Sequence, residues 1–553
     1  MAAKRPNFLV IVADDLGFSD TGPYGSEIET PNLDRLATGG LRMTDFHTAS
    51  ACSPTRAMLM SGTDNHIAGL GQMAEFMASN PGRFKGRPGY EGFLNFRVAA
   101  LPEILQDTGY FTVMSGKWHL GMKAEMSPSA RGFTRSAVLL PGAGNHYNYE
   151  PQLEPSVKRA PAFFNSDGLW MEDSRPLDRR TELPEQFYSS DYFTDRMLGF
   201  LKDHRSSETE QPFFAYLAYT APHWPLQAPP EVTAKYRGVY DEGPESLRLK
   251  RLSRLQQLGL VPNDIVPAPM TAATAEWDAM TEDERKASAR KMEVYAAMVD
   301  RMDWNIGRVL DHLENTGELD NTFVVFMSDN GAEGSLIEAL PMIGSLNIMD
   351  VIGRFYDNSL DNIGNANSFV WYGPRWALAA TAPSRGFKGW STEGGIRCPC
   401  IVRYPGITRT NPISHDFCNV MDIAPTCLEL AGVAHPGQSF RGREVVPFRG
   451  KSWVPFMRSH TQSIYDATLD VTGWELFGLR AIRRGDFKAV WLPEPRGKGE
   501  WELYNVTKDP GELEDLAATH TKELEDLMVE WEKYFAETGM IEISENGKGL
   551  NGI

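Results

Sequence analysis

The sequence predicts an α/β fold: a large mixed, mostly parallel sheet sandwiched by helices, followed by a smaller α+β domain. Three observations carry that expectation. Asn7 to Ala13 is an almost unbroken apolar run with β-branched residues, the pattern of a strand buried on both faces of a parallel sheet. An apolar strand, a polar turn and then a helix recur along the chain. After about residue 450 that grammar gives way to short strands and one helix. At 553 residues the chain is long for a single core. The expected division is therefore residues 1–450, with an aromatic-rich insertion at about 335–385, and residues 451–553.

The elements follow in order. Thr30-Pro31-Asn32-Leu33-Asp34-Arg35-Leu36 before Gly39-Gly40 reads as a helix with Thr at its cap, Pro in its first turn and Gly at its stop. Phe111 to Met114 leads into Gly116-Lys117-Trp118-His119. Phe213 to Tyr219 leads into Ala221-Pro222-His223-Trp224, and Thr322 to Met327 into Ser328-Asp329-Asn330-Gly331. Four strands thus deliver polar residues at their C-terminal ends, the edge where open α/β sheets build sites. Thr281 caps a long helix whose first residues, Glu282, Asp283 and Glu284, suit its positive end. Along it Tyr295, Met298, Met302, Ile306, Val309 and Leu313 recur at helical spacing and read as a core face. The insertion carries Phe355, Tyr356, Trp371, Tyr372 and Trp376; it reads equally as a substrate wall or as packing. In the last part Leu479–Ile482 and Phe487–Trp491 read as antiparallel strands. A helix follows, with Leu524, Leu527, Met528, Trp531 and Phe535 on one face.

Composition bounds the function. A net charge of −18 argues against nucleic acid or an anionic membrane as partner. It would also repel an anionic substrate, so an anion site needs local cations. The five cysteines form no disulfide framework and no zinc pattern. Lys4-Arg5 before an apolar run is reminiscent of a leader, but the run is short and ends in Asp14-Asp15; it reads as a strand, and the expected location is cytoplasmic. No stretch approaches the roughly 20 apolar residues of a membrane span.

Asp14, Asp15, Asp329 and Asn330 are four oxygen donors on two strand ends. Hard oxygen ligands without His or Cys favour Ca²⁺ or Mg²⁺. One Asp pair alone is weak evidence, because caps and turns use Asp freely; two pairs, each ending an apolar strand, are stronger. The demanded cations stand in similar settings: Lys117, His223 and Lys388, with His119 beside them. Cys52 and Arg56 lie in Cys52-Ser53-Pro54-Thr55-Arg56. Singly, each of these is more often a surface or satisfied core residue, and Cys52 an ordinary buried thiol.

Together with Gly116-Lys117-Trp118-His119-Leu120-Gly121, Ala221-Pro222-His223-Trp224-Pro225, Met327-Ser328-Asp329-Asn330-Gly331-Ala332-Glu333 and Gly394-Gly395-Ile396-Arg397, these runs resemble the type I, formylglycine-dependent bacterial arylsulfatases of the alkaline-phosphatase-like superfamily. The resemblance spans nearly the whole chain, in the family's order. It implies that a formylglycine-generating enzyme oxidises Cys52 to formylglycine, whose hydrate attacks sulfate esters. It implies that Asp14, Asp15, Asp329 and Asn330, together with the modified Cys52, hold Ca²⁺ (Mg²⁺ the lesser candidate), and that Asp329 serves as base. Arg56 and Lys117 would hold the diol oxygen; Lys388 and His223 would bind sulfate, with His223 protonating the leaving group and His119 taking a proton from the second hydroxyl. A small-molecule sulfate ester is the implied substrate; oligomeric state is not readable. Two rivals stand: a phosphonate monoester or phosphodiester hydrolase of the same superfamily, and a non-catalytic anion-binding relative.

Overall fold

The computed structural model describes residues 4–154, 157, 169–207, 210–337 and 348–543. Its centre is a ten-stranded sheet. Asn7–Ala13 lies in the middle, paired in parallel with Phe213–Ala218 on one side and Thr322–Ser328 on the other. Phe111–Lys117 and Arg135–Leu139 extend the parallel run beyond Phe213–Ala218. Antiparallel pairs appear toward both edges, through Cys400–Arg403 and through Trp170–Glu172 with Arg175–Leu177. The sheet is therefore mixed and mostly parallel, as predicted.

Strand alternation sets the two layers. Phe8, Val10 and Val12 face a core shared with the Cys52–Ser61 and Leu101–Asp107 helices. Leu9, Ile11 and Ala13 face the other, covered by the Ser189–Ser206 and Glu282–Asn315 helices. Thr281 caps the latter helix as predicted: it forms a reciprocal capping box with Glu284, and Tyr295, Met298, Met302, Ile306, Val309 and Leu313 are all buried. Thr30 differs from the expectation. It precedes the Pro31–Thr38 helix, but its hydroxyl accepts from the Gly22 amide at 2.8 Å instead of capping.

Residues 338–347 of the insertion lie outside the described residues. The rest divides between the two readings. Trp376 packs edge-on to Tyr240 and Trp277, and Tyr372 stacks on Tyr295, so both are core. Tyr356 and Trp371 instead rest on a small apolar cluster that includes Trp224 and Phe369, next to the site.

Four antiparallel strands, Val471–Leu476, Leu479–Arg484, Phe487–Trp491 and Trp501–Asn505, form the C-terminal sheet. One face packs on the Thr521–Thr538 helix through Leu527 and Trp531. The other, with Trp474, Leu476, Ala481 and Val490, joins the core of the large sheet.

Candidate active site

Every residue predicted for the site converges at the C-terminal edge of the central strands. Asp14 and Asp15 end the first strand, and the Asp15 amide donates to Asp329 Oδ1 at 3.2 Å across the parallel pair. Cys52 opens the Cys52–Ser61 helix. Pro54 fits that first turn because its missing N–H has no helical acceptor there, and Gly62 ends the helix in the left-handed region at φ 61°. Cys52 thus sits where the free amides and dipole of a helix N-terminus favour negative charge. Its Sγ is 3.8 Å from Asp15 Oδ1. Asp14, Asp15, Cys52 and Asp329 bring one ligand atom each within 4.8 Å of one another, all buried.

The cations interlock with this cluster. Arg56, one helical turn beyond Cys52, donates from Nε and a terminal nitrogen to Asp329 Oδ2 at 2.9 and 2.7 Å, and to the Lys117 carbonyl at 3.0 Å. Lys117 Nζ spans both Asp14 oxygens at 2.8 and 2.7 Å. Lys388 Nζ lies 2.9 Å from Asp15 Oδ2 and 2.9 Å from Glu333 Oε2. Its backbone is fixed on both sides: the Lys388 amide donates to Ala332 O, and the Gly389 amide to Ser50 O, two residues before Cys52. His223 Nε2 is 3.5 Å from Asp15 Oδ2, while its Nδ1 pairs with the Trp224 carbonyl at 2.6 Å. His119 Nε2 is 3.0 Å from Glu75 Oε1.

Electrostatics follow from burial and these pairings. Burial pushes Asp15 up to about 7, against Lys388 and with Asp14 adding to it; Asp14 is also raised, by burial, against Lys117. Burial acts on Asp329 in the same sense, but Arg56, Lys117 and Lys388 outweigh it and hold its carboxyl below the usual range. Burial, then Lys388 and Lys117, push His223 well below an ordinary imidazole. Burial works against charge on Lys117 and Lys388, yet the carboxylates hold both ammonium groups above their usual values.

The donor set fits a hard cation. Asn330 Nδ2 donates to Asp15 Oδ1 at 2.7 Å, and its Oδ1 is buried with no hydrogen-bond partner among the described residues. An unpaired buried amide oxygen beside mutually repelling carboxylates is the arrangement a bound Ca²⁺ would satisfy.

A small cavity of about 50 Å³ opens on this centre, lined by Cys52, His119, His223, Glu333 and Lys388 among others. A larger one, about 770 Å³, lies between the Arg385–Trp390 loop and the C-terminal sheet and holds none of the predicted site residues. Sequence reasoning missed two acidic residues of the small cavity. Glu333 was within reach of the strand-end argument, four residues after Asp329. Glu75 was not: it sits on the short Ala74–Ser79 helix, in no pattern that marks it.

Comparison with known proteins agrees with the geometry. Residues 6–433 match the sulfatase family, and residues 387–537 match the C-terminal region of N-sulphoglucosamine sulphohydrolase. An uncharacterized sulfatase of Schizosaccharomyces pombe is 55% identical over 540 residues, 98% of this chain and 95% of its own length. An arylsulfatase of Klebsiella aerogenes is 38% identical over 453 residues, 81% of this chain and 91% of its own. A sulfatase from Pseudoalteromonas sp. shares the fold at 19% identity, with a TM-score of 0.59 over 99% of this chain and 91% of that one.

Proposed function

The chain belongs to the sulfatase family, and from that premise we propose that it hydrolyses aryl sulfate esters with a formylglycine made from Cys52 and a bound Ca²⁺. The observation that carries this reading is the convergence of four oxygen donors and the cations Arg56, Lys117 and Lys388 on the first residue of a buried helix. The hydrated aldehyde would supply two hydroxyls on one carbon, one to attack sulfur and one whose deprotonation lets sulfate go. Ca²⁺ held by Asp14, Asp15, Asp329 and Asn330 would add positive charge beside the sulfate oxygens.

The remaining chemistry belongs to the chain's own side chains. Lys388 lines the cavity and offers its ammonium to a sulfate oxygen. His223 is neutral at rest; an arriving anion offsets the two lysines that depress it and favours the protonated ring that can donate to a departing phenoxide. His119 lines the same cavity and takes the proton whose loss releases sulfate. Asp329 enters as an ion ligand and partner of Arg56, which holds down its basicity. Cys52 is 1% exposed, so the modifying enzyme would act before the chain closes over it. The aryl preference rests on the Klebsiella arylsulfatase relative and on Met73, Trp224 and Phe477 in the cavity wall.

The test is hydrolysis of p-nitrophenyl sulfate beside a sugar 6-sulfate and an aryl phosphonate monoester. The aryl sulfate is expected to turn over fastest. Cys52→Ser, with one hydroxyl on its carbon, is expected to lose about 10³-fold or more in turnover. Faster cleavage of the phosphonate, or full turnover by the serine variant, overturns the reading.

A further inference from the structure

Glu75, the partner of His119, has no role so far, and the geometry of the pair is demanding. His119 sits at φ 57°, in the left-handed region that costs a non-glycine residue energy. Its ring fills space that only a glycine leaves open: a Cβ on Gly142 would stand 2.5 Å from His119 Cε1 and 2.7 Å from Nε2. Glu75 Oε1 lies 3.0 Å from Nε2, while His119 Nδ1 and Glu75 Oε2 are both buried without a hydrogen-bond partner among the described residues. Burial, Lys117 and Arg56 disfavour charge on the imidazole, which lies below its ordinary value despite Glu75; burial alone would raise Glu75, but His119 and Lys117 hold it down to about 2.

A neutral imidazole carries one proton and a carboxylate can only accept. The proton therefore lies on Nε2, and Nδ1 presents a lone pair that no group among the described residues uses. Leaving a buried acceptor unpaired is costly, and a purely structural hydrogen-bonded pair gives no reason to bear that cost. Both residues line the cavity that holds Cys52.

We propose that Glu75 is the positioning residue of His119: by accepting from Nε2–H it fixes one tautomer and leaves Nδ1 as the base that takes the proton when sulfate departs. The proposal rests on the sulfatase reading for what that proton is. In the step, the hydroxyl proton passes to Nδ1, the O–H electrons close the carbon–oxygen double bond, and the bond from that carbon to the sulfate oxygen breaks with its pair going to sulfate. Glu75 touches no reacting atom; it acts through the ring.

Two variants separate acceptor from charge. Glu75→Gln keeps a carbonyl oxygen for Nε2–H, whereas Glu75→Met removes every acceptor. On full-length protein labelled with ¹⁵N-histidine, with the His119 signals identified by their loss in His119→Asn, the wild type and Glu75→Gln are expected to show the Nε2–H tautomer. Glu75→Met is expected to lose it. With p-nitrophenyl sulfate, Glu75→Met is expected to keep its rapid release of phenol while sulfate release falls about 10- to 100-fold. Gly142→Ala, which displaces the same ring, is expected to reproduce that split. A wild-type tautomer in Glu75→Met, equal impairment of Gln and Met, or equal slowing of phenol and sulfate release overturns the proposal. A wild type that hydrolyses no sulfate ester fails the sulfatase reading instead, and the tautomer measurement still decides the Glu75–His119 assignment.

Discussion

Asn330 makes the strongest demand of any single residue in the centre. Its Nδ2 is committed to Asp15 Oδ1 and the Gly331 carbonyl, at 2.7 and 2.9 Å, and its buried Oδ1 has no partner among the described residues, which leaves it free to ligate a cation. Asn330→Ala is expected to weaken Ca²⁺ binding at least about tenfold, or about 1.4 kcal/mol. Calorimetric titration of chelator-treated protein reads this directly, and an unchanged affinity removes Asn330 from the ligand set. Asn330 was legible in the sequence because it follows Asp329 at the end of an apolar strand, and such ends are delivered together by a parallel sheet. Glu75 was illegible for the complementary reason. Its partner His119 is 44 residues away, and the contact depends on a left-handed His119 and a bare Gly142, neither of which leaves a periodic trace.

At the scale of elements, the strand before Lys117 runs further than its sequence predicts. Hydropathy ends it at Met114, yet pairing continues through Ser115 and Gly116, and the strand spans Phe111–Lys117. Gly116 explains the extension. It adopts φ +124°, and a Cβ there would stand 1.8 Å from the Ala218 carbonyl oxygen of the neighbouring strand. A glycine that usually signals a turn here permits close approach of two backbones, and the ladder carries Lys117 to the Asp14 carboxylate and its carbonyl to Arg56. Gly116→Ala is expected to cost about 3 kcal/mol or more, from overpacking and an unfavourable dihedral together. Denaturant unfolding measures this. Turnover in the surviving folded fraction is expected to fall as well, because Lys117 and Arg56 move with the strand; a variant with wild-type stability and activity would show that the strands can part without effect. Four central strands, the long capped helix and two of the four C-terminal strands, Leu479–Arg484 and Phe487–Trp491, were readable from local pattern. The short Ala74–Ser79 helix and the edge pairings were not, because they are set by what they pack against.

Across the whole molecule, buried charge ties the C-terminal sheet to the catalytic layer. Arg483 pairs with Asp45 at 2.7 Å, and Lys488 with Glu393 at 2.8 Å on the stretch that follows Lys388. His66 is held between Asp64 at 2.8 Å and Glu475 at 3.1 Å, while Tyr534 of the C-terminal helix donates to Asp64. Burial opposes charge on His66, but the two carboxylates raise its pKa from 6.5 to about 9. A folded value above the unfolded one means that the stabilisation is complete below about pH 6.5 and is lost as pH rises through 9. The shift corresponds to about 3 kcal/mol. At pH 6.5, His66→Gln is expected to be destabilised by about 3–5 kcal/mol, since it leaves a buried carboxylate pair without its cation. Between about pH 6.5 and pH 10 the wild type loses that cation too, so the gap to His66→Gln is expected to narrow by about 3 kcal/mol. Paired unfolding curves across that range measure the gap, and a gap independent of pH would show that His66 is neutral in the folded protein and adds no charge to the docking of the sheet.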